Sequence, residues 1–195
     1  MTGAAATSAS PERPFPFRFT FPLLLGSTLN PINSSMLATG LAGIAADFHI
    51  GPGQSAELIS VLYLCSAVAQ PTMGKLAQLF GPRRVFLAGI GVLFVAGVVG
   101  ALAPAFWMLL VSRALIGIGT SAAYPTAMAL VRRRADAFDV GVPSRTLGWF
   151  SITAQVTVIL GLPIGGVLTQ AFGWRALFVV NVPIAIGVFV FALLG

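Results

Sequence analysis

Long apolar stretches separated by short polar breaks run through almost the whole chain. Six of them approach the roughly 20 mostly apolar residues that an α-helix needs to cross a bilayer. They cover residues 21–44, 58–78, 85–102, 106–131, 147–172 and 177–194. The break between the third and fourth is Ala103-Pro104-Ala105, where proline supplies the turn. No charge occurs between Arg84 and Arg113, too long a stretch for one span and too short for two, so Arg113 has to lie inside the fourth helix. Residues 1–20 are small, polar and proline-rich and read as a disordered tail, leaving 21–195 as the folded domain. The run that begins at Phe21 is too long for a signal-peptide core, and no small-residue cleavage site follows it.

Composition sharpens this reading. Hydrophobic residues make up 57% of the 195 and charged residues 8%, against about 45–50% and about 25% in soluble domains. So few charges cannot cover a water-facing surface, and the expected class is an all-α integral membrane protein. A net charge of +6 would suggest nucleic acid in a soluble protein. Here the basic residues fall between apolar runs, so they report topology, and no nucleic-acid partner is expected. Arg13, Arg18, Lys75, Arg83, Arg84, Arg132, Arg133, Arg134 and Arg145 share one side, and Arg175 stands alone on the other. That bias puts both termini in the cytoplasm and the chain in the inner or plasma membrane.

The chain also repeats itself. Residues 71–86 (PTMGKLAQLFGPRRVF) and 163–178 (PIGGVLTQAFGWRALF) agree at eight of sixteen positions at an offset of 92. The first copy ends inside and the second outside. Residues 21–105 and 106–195 are therefore expected to be three-helix units related by inversion, an arrangement common in secondary transporters.

The segment Gly74-Lys75-Leu76-Ala77-Gln78-Leu79-Phe80-Gly81-Pro82-Arg83-Arg84 resembles the signature loop of the major facilitator superfamily. It departs at Gln78, where the family has Asp, and at Leu79, where it often has Arg. By this resemblance Gly74, Gln78, Gly81, Arg83 and Arg84 form a cytoplasmic gate loop whose charge latch lacks at least one member. Leu109-x-x-x-Arg113-x-x-Ile116-Gly117-x-Gly119 resembles the family's second motif. Gly161-Leu162-Pro163-Ile164-Gly165-Gly166 is similar to the motif of its antiporter branches, with the proline displaced by one. The stretch from Phe172 through Trp174, Arg175, Phe178 and Asn181 to Pro183 looks like part of its multidrug exporters.

Several residues stand out chemically. Arg113, about seven residues or roughly 10 Å into its helix, is the only charge well inside a span. It either serves a polar cavity or snorkels to the surface. Asn33, Ser34 and Ser35 make a polar patch in the first helix. They either line a substrate cavity or bond between helices. Gly117, Gly119, Gly161, Pro163, Gly165 and Gly166 are candidates for close helix packing or bending. The lone cysteine, Cys65, and the lone histidine, His49, supply no metal site, no cofactor is implied, and no enzyme signature occurs.

The resemblance implies the N-terminal six-helix half of a secondary transporter. It would export small amphipathic molecules by alternating access and need a second half or another copy. The rival is a non-transporting membrane remnant or the interaction partner of another membrane chain. All five acidic residues, Glu12, Asp47, Glu57, Asp136 and Asp139, lie in the tail, in loops or at helix ends, so this half is not expected to carry a coupling proton.

Overall fold

The computed structural model describes residues 17–141 and 144–194, and they are almost entirely helical. In chain order the helices are α1 Phe17–Phe48, α2 Pro52–Phe80, α3 Pro82–Ala101, α4 Phe106–Ser121, α5 Ala123–Ala137, α6 Ser144–Phe172, α7 Ala176–Val179 and α8 Asn181–Leu194. The tail expectation for residues 1–16 lies outside the described residues. Residues 17–20, also assigned to the tail, open α1 instead.

Each apolar run becomes a helix, and most helices extend further into the flanking sequence than the hydrophobic pattern alone implies. A helix continues past the apolar stretch because its backbone bonds gain nothing from stopping at the lipid edge. Two runs are interrupted. Pro125 has no N–H for the Ser121 carbonyl, and the helix is interrupted at Ala122, between α4 and α5. Pro183 likewise leaves the Val179 carbonyl without its donor, and α7 gives way to α8 at Val180. Arg132, Arg133 and Arg134, expected in a loop, lie on α5, which runs on to Ala137.

Among the described residues, five spans are long and apolar enough to cross a membrane: α2, α3, the joined path Phe106–Ala137, α6, and the path Ala176–Leu193. The sixth expected span, α1, is 32 residues long. Its middle carries the polar residues Asn30, Asn33, Ser34 and Ser35. Other Ser and Thr hydroxyls of α1 are satisfied on their own helix: Ser27 donates to the Leu24 carbonyl and Thr28 to that of Leu25, both at 2.7 Å.

Packing follows small residues, as it must where lipid supplies no hydrophobic drive between helices. α6 lies along α1, and α4 is flanked by α2 and α3. A Cβ on Gly165 would come within 2.8 Å of the Met36 backbone, and one on Gly117 within 2.6 Å of the Leu62 carbonyl oxygen. Gly119 and Gly89 face each other just as closely. Gly161 meets Ser35 of α1. Gly166, expected to pack in the same way, meets nothing within 4 Å. It sits one position round from Gly165, off the face that Gly161 and Gly165 share at a spacing of four. Pro163 is exposed, and α6 continues through it.

Candidate functional site

Arg113 is carried by α4 and is fully buried. The neighbouring Ser112 hydroxyl fixes this turn by donating to the Ala96 carbonyl of α3 at 2.7 Å. Arg113 Nη1 donates to the Asn33 carbonyl of α1 at 3.4 Å, and the guanidinium lies 4.7 Å from the centroid of the Phe178 ring. A cation over an aromatic face gains most when both are removed from water. Nε and Nη2 have no hydrogen-bond partner among the described residues. A buried cation with unmet donors is costly, so it marks a place where an acceptor is needed.

Asn33 is the junction of this cluster. Its side-chain amide donates to the Leu29 carbonyl at 2.8 Å and to Asn181 Oδ1 at 2.7 Å. Asn181 donates in turn to the Leu177 carbonyl at 3.1 Å, just before the α7–α8 break. Three helical paths, α1, α4 and α7–α8, thus meet around one cation and two amides.

A second polar layer lies one turn away on the same face of α1. Asn30 donates to Ser66 Oγ of α2 at 2.9 Å and to Thr120 Oγ1 of α4 at 3.0 Å. Ser66 passes the chain on to the Gly117 carbonyl at 3.2 Å. Residues three apart share a helix face. The spacing from Asn30 to Asn33 is therefore the one signal in the sequence that could have pointed to Asn30. Nothing local pointed to Ser66 or Thr120, and Asn181 stood out in the sequence only as part of the exporter-like stretch. Ser34 and Ser35 spend their hydroxyls on their own helix, at the Asn30 carbonyl (3.1 Å) and the Pro31 carbonyl (3.0 Å). The structure therefore brings Asn33 and Arg113 together, while Ser35 sits against α6.

The expected gate loop is shorter than its sequence suggests. Gly74 and Gln78 are helical, on α2, and Gly81 alone joins α2 to α3. Its φ of 89° is in the left-handed region, where a side chain would be strained. Gly173, 92 residues on, has φ 77° between α6 and α7. Arg83 Nη2 donates to the carbonyls of Ala192 and Leu193 at 3.2 and 3.1 Å, at the end of α8. Gln78 and Arg84 are exposed. At the opposite end Asp47 accepts from Trp174 Nε1 at 2.7 Å and pairs with Arg175 at 3.7 Å. Both charges are about half exposed, so the ion pair itself contributes little.

The sequence profile of the Major Facilitator Superfamily matches residues 23–195. The uncharacterized MFS-type transporter YwoD of Bacillus subtilis is 40% identical over 166 residues, 83% of this chain and 35% of its own length. The Tetracenomycin C resistance and export protein of Streptomyces glaucescens is 29% identical over 97% of this chain and 35% of its own. Multidrug resistance protein 3 of Bacillus subtilis is 28% identical over 83% of this chain and 31% of its own. The chain thus spans about a third of the length of these curated relatives.

Proposed function

Because the chain belongs to the major facilitator superfamily, we propose that it is the first six-helix half of a secondary transporter that exports small amphipathic molecules by alternating access. The observation that carries this reading is Arg113, buried among three helical paths with two nitrogens lacking acceptors. A cation held this way is a poor structural element and a good responsive one. A shift of α1 against α4 changes what its donors meet, which couples the polar cluster to helix motion. Export, rather than import, is favoured by the resistance and export proteins among the relatives.

The second half would cover α2 and α6. Only 22% and 17% of their apolar windows are buried, against 56% for the Phe106–Ala137 path. The left-handed glycines at 81 and 173 support the inverted repeat, since each ends the matching helix of its unit. In this reading the end that carries Arg83 faces the cytoplasm. No span of this half holds a carboxylate in its interior, and Asn33 cannot titrate, so the coupling proton belongs elsewhere in the assembly.

The test is efflux of ethidium from energised cells that express the complete assembly. Arg113→Ala should abolish efflux while the protein still inserts in the membrane. Arg113→Lys should restore little, because a lysine lacks the planar fork of donors. Full efflux by the alanine variant would overturn the role given to Arg113.

A further inference from the structure

Between α2, α3 and α4, on the end of the bundle that carries the arginines, lies a cavity of about 420 Å³. That is within the usual range for small-ligand sites. Its walls are Met73, Leu76, Val85 and Val92, with Ile118 behind them. The back is bare backbone where Gly89 and Gly119 touch: a Cβ on Gly89 would lie 2.6 Å from the Gly119 oxygen. Arg84, on the first turn of α3, also lines it. From Arg84 to Val92 the groove follows eight residues of helix, about 12 Å at 1.5 Å per residue.

The chemistry of this groove is divided along its length. One end is cationic and exposed, and the remaining lining is apolar. Arg83, the adjacent residue, is committed to the carbonyls at the end of α8. Arg84 is exposed and lines the groove. Lys75, one helical turn before Leu79 on α2, is exposed near the same end. The occupant that matches has an anionic head and one long apolar chain reaching inward from the membrane surface.

We propose that this groove holds one anionic phospholipid, with its phosphate on Arg84 and an acyl chain lying along Val85–Val92 against Gly89 and Gly119. Basic pockets between membrane helices recognise anionic headgroups in this way, and each arginine near the surface adds about fivefold in affinity. The inference does not depend on whether the protein transports anything.

Native mass spectrometry of the full chain in detergent tests it, using palmitoyl-oleoyl phosphatidylglycerol and the matching phosphatidylcholine as probes. One phosphatidylglycerol should be retained, about fivefold or more in preference to phosphatidylcholine. Arg84→Gln should remove the preference. Arg132→Gln makes the same change of charge at an exposed site outside the groove, and it should leave the preference in place. Ala88→Trp fills the groove from an exposed position on its wall and keeps every charge. It should abolish retention of either lipid while the circular dichroism stays helical.

Equal losses in Arg84→Gln and Arg132→Gln would mean a diffuse basic surface, and the proposal would fall. It would also fall if Ala88→Trp still held the lipid. Displacement of the lipid by millimolar inorganic phosphate would identify a free-anion site instead, and a lipid-free dimer would identify a second copy of the chain as the occupant. Should Ala88→Trp fail to fold, Val92→Phe is the substitute for filling the groove, read in the same way.

Discussion

The guanidinium of Arg113 and the amide of Asn33 show how far a single position can be read without its neighbours. Arg113 was legible because it is the one charge inside an apolar run, and charge in lipid demands a reason. Asn33 was legible as part of a polar patch. Its pairing with Asn181 was not, because the two are 148 residues apart and hydrophobic periodicity carries no information about pairing across helices. The bond between them makes a sharp prediction. In a double-mutant cycle with Asn33→Leu and Asn181→Leu, the coupling should be about 0.6–1.7 kcal/mol, the range for polar pairs between membrane helices. Steric trapping or reversible unfolding in mixed micelles measures it. A coupling near zero would mean that each amide is satisfied by its own helix, through the carbonyls of Leu29 and Leu177.

Helices as units were the most legible level, and their ends and joints the least. Apolar length predicts where a span lies because lipid imposes it. It does not predict that α2 begins at Pro52 or that α5 carries Arg132–Arg134 to Ala137, since those ends are outside the apolar region. Prolines alone did not mark the joints at Ala122 and Val180: Pro125 and Pro183 lie three residues after them, yet α1, α2 and α6 run on through Pro31, Pro71 and Pro163. The glycines of α6 allow a direct comparison. Gly165→Ala places a methyl 2.8 Å from the Met36 backbone, which cannot move aside as a side chain does. Gly166→Ala enters open space. The first substitution should destabilise by about 1–3 kcal/mol, as overpacking does. The second should be near neutral or slightly stabilising, because alanine is the better helix former. Thermal midpoints of the two variants in one detergent check this, and equal midpoints would place Gly165 outside the α1–α6 contact.

Across the whole molecule, the basic residues were the strongest guide. Phe19, Arg83, Arg134 and Ala192 surround one cavity of about 190 Å³, so the start of α1, the start of α3 and the ends of α5 and α8 share one end of the bundle. Asp47 and Trp174 meet at the other. The cytoplasmic assignment of the basic end is tested by cysteine labelling in a Cys65→Ser background. Arg83→Cys and Arg132→Cys should resist a membrane-impermeant thiol reagent in intact cells, and Glu57→Cys should react. Labelling at position 83 from outside would reverse the topology. What no sequence pattern supplied was the sideways arrangement of the helices, α6 beside α1 and α4 between α2 and α3. Small residues say that a face packs closely; they do not say against which neighbour.

Gly81 is the entire link between α2 and α3, a single residue held at φ 89°. With one residue there is no slack: α2 cannot slide along its axis without drawing α3 after it, and the pair can only fold or open about one joint. The two helices therefore behave as a hinged lever with its pivot at the basic end. Both arms pack on α4, and α2 leaves more of its surface outside the bundle than α3 does. A push on the more exposed arm is passed to the other through that joint.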